Sequence, residues 1–98
     1  MRIISKKVLL DFYTQYPDSK ISLENWYRVV KKAQWTCFSD VKGTFNTVDN
    51  VGNKRYVFNI KGNDYRLVGI IQFTTKAVLI RFVGTHNQYD KIKDIKKI

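Results

Sequence analysis

Four residues carry the chemistry that this sequence offers: Arg66, Arg81, His86 and Tyr89. Three of them fall in one stretch, Val78 to Asp90. Val78, Ile80 and Phe82 alternate with Leu79, Arg81 and Val83, the pattern of a strand. Gly84 reads as the strand's exit, through its freedom in dihedral angles. Thr85 then reads as a helix N-cap, with Gln88 completing a capping box, so His86 and Tyr89 share one helical face. Arg81, His86 and Tyr89 converge on a point that a helix N-terminus faces, a natural place to hold a phosphate. Arginine brings a rigid, permanently charged fork, and histidine moves protons near neutral pH. Tyrosine donates a hydrogen bond, transfers a proton or stacks on a base. Such a set suits attack of an RNA 2′-OH on its own neighbouring phosphate. That reaction needs one proton removed, the phosphoryl charge stabilised and the departing 5′ oxygen protonated. DNA lacks the hydroxyl, so the set implies RNA.

Each residue also has an ordinary reading. A single histidine after a helix cap is commonly a surface residue, and Tyr89 alone could simply pack. Arg66 and Arg81 lie in apolar strands, so they are either exposed on an open face or paired with carboxylates. Other chemistries fit less well. The 8 acids are scattered and there is 1 histidine, so a metal-ligand cluster is not expected, and Asp90 with Asp94 makes a weak pair. No phosphate-binding glycine loop is present. His86 has no serine or cysteine nucleophile near it in sequence.

The elements that must position these residues follow from spacing. Arg2 to Ile4 reads as a short edge or central strand. Ser5 reads as the N-cap of a helix to about Tyr16, with Leu9, Phe12, Tyr13 and Tyr16 as its apolar stripe and Pro17 as its stop. A second helix starts near Ser19 or Ser22, carries Leu23, Trp26, Tyr27 and Val30, and ends with Lys31 and Lys32 complementing its dipole. Glu24 and Arg28 are spaced to pair. Trp35 and Phe38 pack where the chain leaves this hairpin. A short helix from Ser39 ends at Gly43, and Thr44 to Asn53 is irregular. Strands follow at Arg55 to Ile60 and Tyr65 to Phe73, with a turn at Lys61 to Asp64. With the strand from Val78 they form an antiparallel meander. The helical hairpin needs one face of it, which leaves Asn59, Arg66 and Arg81 on the other. Lys91 to Ile98 is a short basic amphipathic helix or a frayed end.

The expected class is α+β, with residues 1–98 as a single domain. The charge of +10, from 18 Lys+Arg against 8 Asp+Glu, points to a polyanion, with nucleic acid favoured over an acidic protein. Cys37 is the only cysteine, which excludes an intrachain disulfide, suits a cytoplasmic location and reads as buried filler. No apolar run reaches membrane-spanning length, and the N-terminal residues do not form a signal peptide.

The stretch Arg-Phe-Val-Gly-Thr-His-x-x-Tyr-Asp is preceded by Tyr-Val-Phe-Asn-Ile and Asn-x-Tyr-Arg-Leu-Val. Together with Trp26-Tyr27 and Lys-Lys-Ala-x-Trp from Lys31 to Trp35, it resembles the HigB family, the RelE-like mRNA interferases of type II toxin–antitoxin pairs. The resemblance implies a RelE-like fold, an N-terminal helical hairpin on one face of a small antiparallel sheet whose open face is basic. It implies a metal-independent endoribonuclease that cleaves mRNA without a cofactor, on or off the ribosome. It also implies a cognate antitoxin, commonly a helix-turn-helix protein of HigA type. Carried over by motif, Arg66 and Arg81 hold the scissile phosphate, His86 is acid or base, and Tyr89 assists or stacks. Asp90 orients a basic neighbour, and Lys54, Arg55, Asn59 and Lys91 contact RNA. Composition alone also fits a non-catalytic basic RNA-binding module, or a basic protein that acts through an acidic partner.

Overall fold

Apolar spacing builds the helical layer. The structure, a computed structural model, describes residues 1–98. Strand β1 (Arg2–Ile4) leads into α1 (Lys7–Gln15), and a 3₁₀ turn at Pro17–Ser19 joins it to α2 (Lys20–Lys32). Leu9 of α1 and Leu23, Trp26 and Val30 of α2 are buried, as their helical periodicity requires. A short α3 (Phe38–Thr44) follows, then β2 (Asp49–Gly52), β3 (Arg55–Ile60), β4 (Tyr65–Gln72) and β5 (Ala77–Thr85). Helix α4 (His86–Asp90) and a 3₁₀ turn at Ile95–Lys97 complete the chain. The three N-terminal helices cover one sheet face, where Tyr56, Phe58, Ile60, Tyr65, Leu67, Ile71, Val78 and Ile80 join the core. Trp26 meets Phe58 edge-on, ring centres 5.4 Å apart. Each such fully buried large side chain contributes about 1.5–3 kcal/mol, which fixes the face that the helices choose.

The class is α+β, but the sheet is mixed rather than wholly antiparallel. Its order is β1-β5-β4-β3-β2, and β1 pairs with β5 in parallel. The irregular stretch expected before Asn53 contains β2, which pairs with β3. A polar, short edge strand leaves no alternation to read. Ser5 does not cap α1. Its φ is +74°, and Lys6 occupies the cap position. Ser19 precedes α2, but its hydroxyl donates to the Tyr16 carbonyl at 2.7 Å instead of capping. Gly43 lies inside α3. Arg28 bonds the Asn25 side chain at 2.7 Å rather than Glu24, and Cys37 is exposed. Phe73 falls just beyond β4.

The alternation in β5 breaks at Arg81. Val68 pairs with Phe82 but Gly69 pairs with Ile80, so Arg81 is an extra residue, a β-bulge. Before the bulge Val78 and Ile80 face the core; after it Val83 takes the core side. Phe82 is therefore turned to the outer face, opposite to what strict alternation from Val78 gives.

The tail is neither a regular helix nor frayed. Ile92, Ile95 and Ile98 are half-buried while their lysine neighbours are exposed. The Asn53 amide donates to the Lys96 carbonyl at 2.9 Å, and the Arg55 guanidinium donates twice to the Ile98 carbonyl. The face away from the helices is thus partly covered at its β2–β3 end.

Candidate active site on the outer sheet face

Cross-strand register places the site residues. Asn59 pairs with Arg66, and Arg66 with Gly84. Directly paired residues share a face, so these three form one row across β3, β4 and β5. The next row is Val57, Val68 and Phe82. Leu67, beside Arg66, belongs to the core, so the Arg66 row lies on the face away from α1 and α2. The Arg66 guanidinium is half-buried, and one of its nitrogens donates to the carbonyls of Asn63 at 3.1 Å and Tyr65 at 3.3 Å. Its other donors have no partner within the protein, and Arg66 has no carboxylate. Arg81, at the bulge, is exposed and makes no side-chain hydrogen bond or ion pair.

His86 follows the end of β5 by one residue. The capping box is formed: Thr85 Oγ1 accepts from the Gln88 amide at 3.1 Å, and Gln88 Oε1 accepts from the Thr85 amide at 2.9 Å. His86 Nδ1 lies 2.8 Å from Asp90 Oδ2. That contact occupies Nδ1, and Nε2 has no hydrogen-bond partner within the protein. The expected anion site at the N-terminus of α4 is not available as such. The His86 amide is taken by the Asp64 carbonyl at 3.2 Å and the Gln88 amide by Thr85, in a helix of 5 residues. A phosphate here would have to rest on side chains.

Tyr89 is half-buried. Burial raises its phenol pKa above the usual range, Asp49 adds to this, and the Arg66 charge opposes it. The phenol thus lies within the electrostatic reach of Arg66 and stays protonated at neutral pH. A shallow cavity of about 370 Å³ opens beside His86, lined by Asn63, Asp64, Tyr65, Thr85 and Asn87 as well.

Register thus sets Arg66 opposite Gly84 near the end of β4 and β5 that leads into His86, with Asn59 in the same row, while Arg81 lies further back at the bulge. Lys54 sits apart, exposed at the tip of the β2–β3 hairpin with φ +65°. Arg55 is occupied by Ile98 and by the Asn53 carbonyl at 3.1 Å. Lys91 is exposed just after α4. Phe82 and Asp49 were not singled out from the sequence. The bulge that turns Phe82 outward leaves no mark in hydrophobic spacing, and Asp49 lies on the strand that was read as irregular. No three His, Cys, Asp or Glu side chains cluster with metal-ligand geometry. Of the lysines and arginines, only Lys7, Lys61 and Lys97 sit in ion pairs.

The arrangement sets helices on one face of a five-stranded mixed sheet. Residues 19–92 match the family described as the RelE-like toxic component of a toxin–antitoxin system. The chain belongs to the HigB toxin family. It is 31% identical over 94 residues to the mRNA interferase HigB of Escherichia coli O6:H1, covering 94% of this chain and 91% of that protein. It is 34% identical over 92 residues to the mRNA interferase toxin HigB of Escherichia coli K12, covering 92% and 88%. An mRNA interferase HigB of Shigella flexneri matches to the same extent, 34% over 92 residues.

Proposed function

We propose that this toxin cleaves mRNA on the outer sheet face, at the Asn59–Arg66–Gly84 row, without a metal ion. The relatives' names support the substrate. The observation that supports the site is Arg66 opposite Gly84 in register, next to the His86–Asp90 pair that follows β5, with the Arg66 charge acting on the Tyr89 phenol. Arg66 and Arg81 hold the scissile phosphate. Neither is neutralised by a carboxylate, so both remain free for an anion. His86 Nε2, with Nδ1 held by Asp90, takes the proton of the 2′-OH. The 2′ oxygen forms a bond to phosphorus, the bond from phosphorus to the 5′ oxygen breaks, and that oxygen receives a proton. Tyr89, kept protonated, is placed to donate it or to steady the phosphoryl charge. The products are a 2′,3′-cyclic phosphate and a 5′-OH. Asn59 and Lys91 flank the site, Lys54 extends the basic track, and Arg55 joins it only when the tail releases. We place the action in the cytoplasm, with residues 1–98 as one toxin domain, acting on transcripts at the ribosome and restrained by a helix-turn-helix antitoxin of HigA type.

The test is product analysis with purified protein in the presence of EDTA, with and without translating ribosomes. Fragments should carry a 5′-OH and a cyclic or 3′ phosphate. His86→Ala and Arg66→Ala should each slow cleavage by about 10²–10⁴-fold with RNA binding little changed. Loss of cleavage in EDTA would overturn metal independence. Intact RNA under every condition, with binding retained, would leave a non-catalytic RNA-binding module.

A further inference from the structure

The turn between β3 and β4, Lys61 to Asp64, touches both halves of the proposed site. All four of its residues are exposed, so packing does not fix them and hydrogen bonds must. The Asn63 carbonyl accepts from the Arg66 guanidinium at 3.1 Å, and the Asp64 carbonyl accepts from the His86 amide at 3.2 Å. Lys61 has φ +52° and Gly62 +65°, a left-handed region that a lysine rarely adopts. Something outside the turn has to keep it in place. That contact comes from the helical side of the sheet. Lys61 Nζ donates to Asp18 Oδ2 at 2.9 Å, and the Tyr65 hydroxyl donates to Asp18 Oδ1. One carboxylate thus ties the residue that opens the turn to the residue that follows it.

Asp18 can serve as that anchor because its own backbone is fixed. Pro17 before it has a locked φ. Ser19 after it is fully buried, and its amide and hydroxyl both donate to the Tyr16 carbonyl. Phe12 and Tyr16 pack their rings against Tyr65, with centres 5.4 Å and 5.9 Å away. Tyr65 is buried on the helical side while Arg66, the next residue, faces the outer side, so a shift of one side chain's backbone moves the other. A second tie leaves the same corner: the Gln88 side chain, which caps Thr85, donates to the Tyr16 hydroxyl at 3.5 Å. We infer that Asp18 is a positioning residue for RNA cleavage. From the covered side of the sheet it clamps the Lys61–Asp64 turn, and the turn holds the Arg66 guanidinium and the start of α4 in fixed relation. Asp18 acts through the turn and touches no RNA. This role rests on the reading of Arg66 and His86 as the cleavage site.

The test uses the full chain, which holds 1 histidine, so the ring signals of His86 are unique in an NMR spectrum. Asp18→Ala removes both bonds, and Tyr65→Phe removes one. Each should shift the His86 ring signals and speed exchange of the His86 amide. Asp18→Ala should lower kcat about tenfold with KM near the wild-type value, and Tyr65→Phe should do so to a smaller degree. Combined in one chain, the two losses should come to less than their product. Val41→Ala, at a buried residue of α3, is the control for lost stability. Assayed well below its melting temperature, it should leave the His86 signals and kcat as they are. Unchanged His86 signals in Asp18→Ala would overturn the inference. So would the same change in Val41→Ala, or a rise in KM with kcat intact, which would mark an RNA contact instead. If the wild-type protein left RNA intact, the cleavage reading would fall, and the His86 spectra would still decide whether Asp18 holds the turn.

Discussion

Gly84 sits in the site row, and its lack of a side chain is what the surrounding geometry requires. Its φ is not among the positive ones, so backbone freedom is not the reason for glycine. A β-carbon built there would overlap Phe82 Cζ and lie 2.8 Å from Gln88 Oε1, against about 3.5–4.0 Å for a comfortable carbon contact. Gly84→Ala must therefore push the Phe82 ring off the row and draw Gln88 away from the Thr85 amide that it caps. Both obstacles are the far ends of side chains that are not fully buried, so overpacking falls at the low end of its range of about 1–3 kcal/mol, and losing half a cap falls within about 0.5–2 kcal/mol. A total near 2 kcal/mol lowers the melting temperature of a domain this size by about 8–15 °C. The assay is urea and thermal unfolding of Gly84→Ala, Phe82→Ala and the double variant. If the ring is the obstacle, the alanine at 84 costs less once Phe82 is gone, with a coupling of about 1 kcal/mol. An equal cost in both backgrounds, or no cost in either, would refute the steric account. The same variant should slow RNA cleavage more than its stability loss explains, because Phe82 and the His86 turn move together.

Other outcomes follow from contacts elsewhere in the fold. The Tyr65 hydroxyl and Lys61 both hydrogen-bond Asp18, and these bonds, Tyr65 first, lower the Asp18 pKa. Because the folded value is the lower one, the stabilisation is full above the unfolded carboxylate pKa of about 4 and is lost as pH falls through the folded value. Asp18→Asn should therefore be less stable than wild type at pH 7, with the gap closing in acid when unfolding is followed from pH 7 to pH 2. Tyr65 is the mirror case. Its pKa is pushed up to about 12, mainly by the same bond, so its contribution holds below about pH 10 and fades as pH rises toward the folded value, which Tyr65→Phe should abolish. Arg55→Ala removes both donors to Ile98, roughly 1–2 kcal/mol of local tethering, so amide exchange in residues 92–98 should quicken about tenfold. Asp90→Ala should lower kcat for cleavage about 10- to 100-fold with KM unchanged, yet alter stability by less than about 1 kcal/mol, since the His86–Asp90 pair is half-exposed.

Periodicity carried the helices, because Leu9, Leu23, Trp26 and Val30 had to face one way to be buried. It carried the pairing of β3 with β4 for the same reason, and the Thr85–Gln88 box was legible because capping is local chemistry. What spacing does not encode is where a strand gains a residue. The bulge at Arg81 puts Phe82 on the outer face with Val68, next to Arg66, where strict alternation from Val78 sends it into the core. The short polar β2 was illegible for a related reason: its pairing comes from the register of β3, not from its own composition. That strand brings Asp49 within reach of Tyr89 and raises the phenol's pKa. The tail reads as a short basic amphipathic helix or a frayed end because lysine alternates with isoleucine there, but its isoleucines are half-buried and the Ile98 carbonyl occupies Arg55, a residue expected to contact RNA. The residues of the site were thus named by local sequence, and their neighbours were set by long-range register. A variant that deletes Arg81 tests that division. Removing the extra residue should restore regular pairing with Phe82 still opposite Val68 and Arg66 still opposite Gly84, while taking away the guanidinium and the local bend that the bulge adds. Cleavage should then fall below that of Arg81→Ala, in a chain that still melts cooperatively. Equal activity of the deletion and the substitution would mean that Arg81 matters for its charge alone and the bulge for nothing.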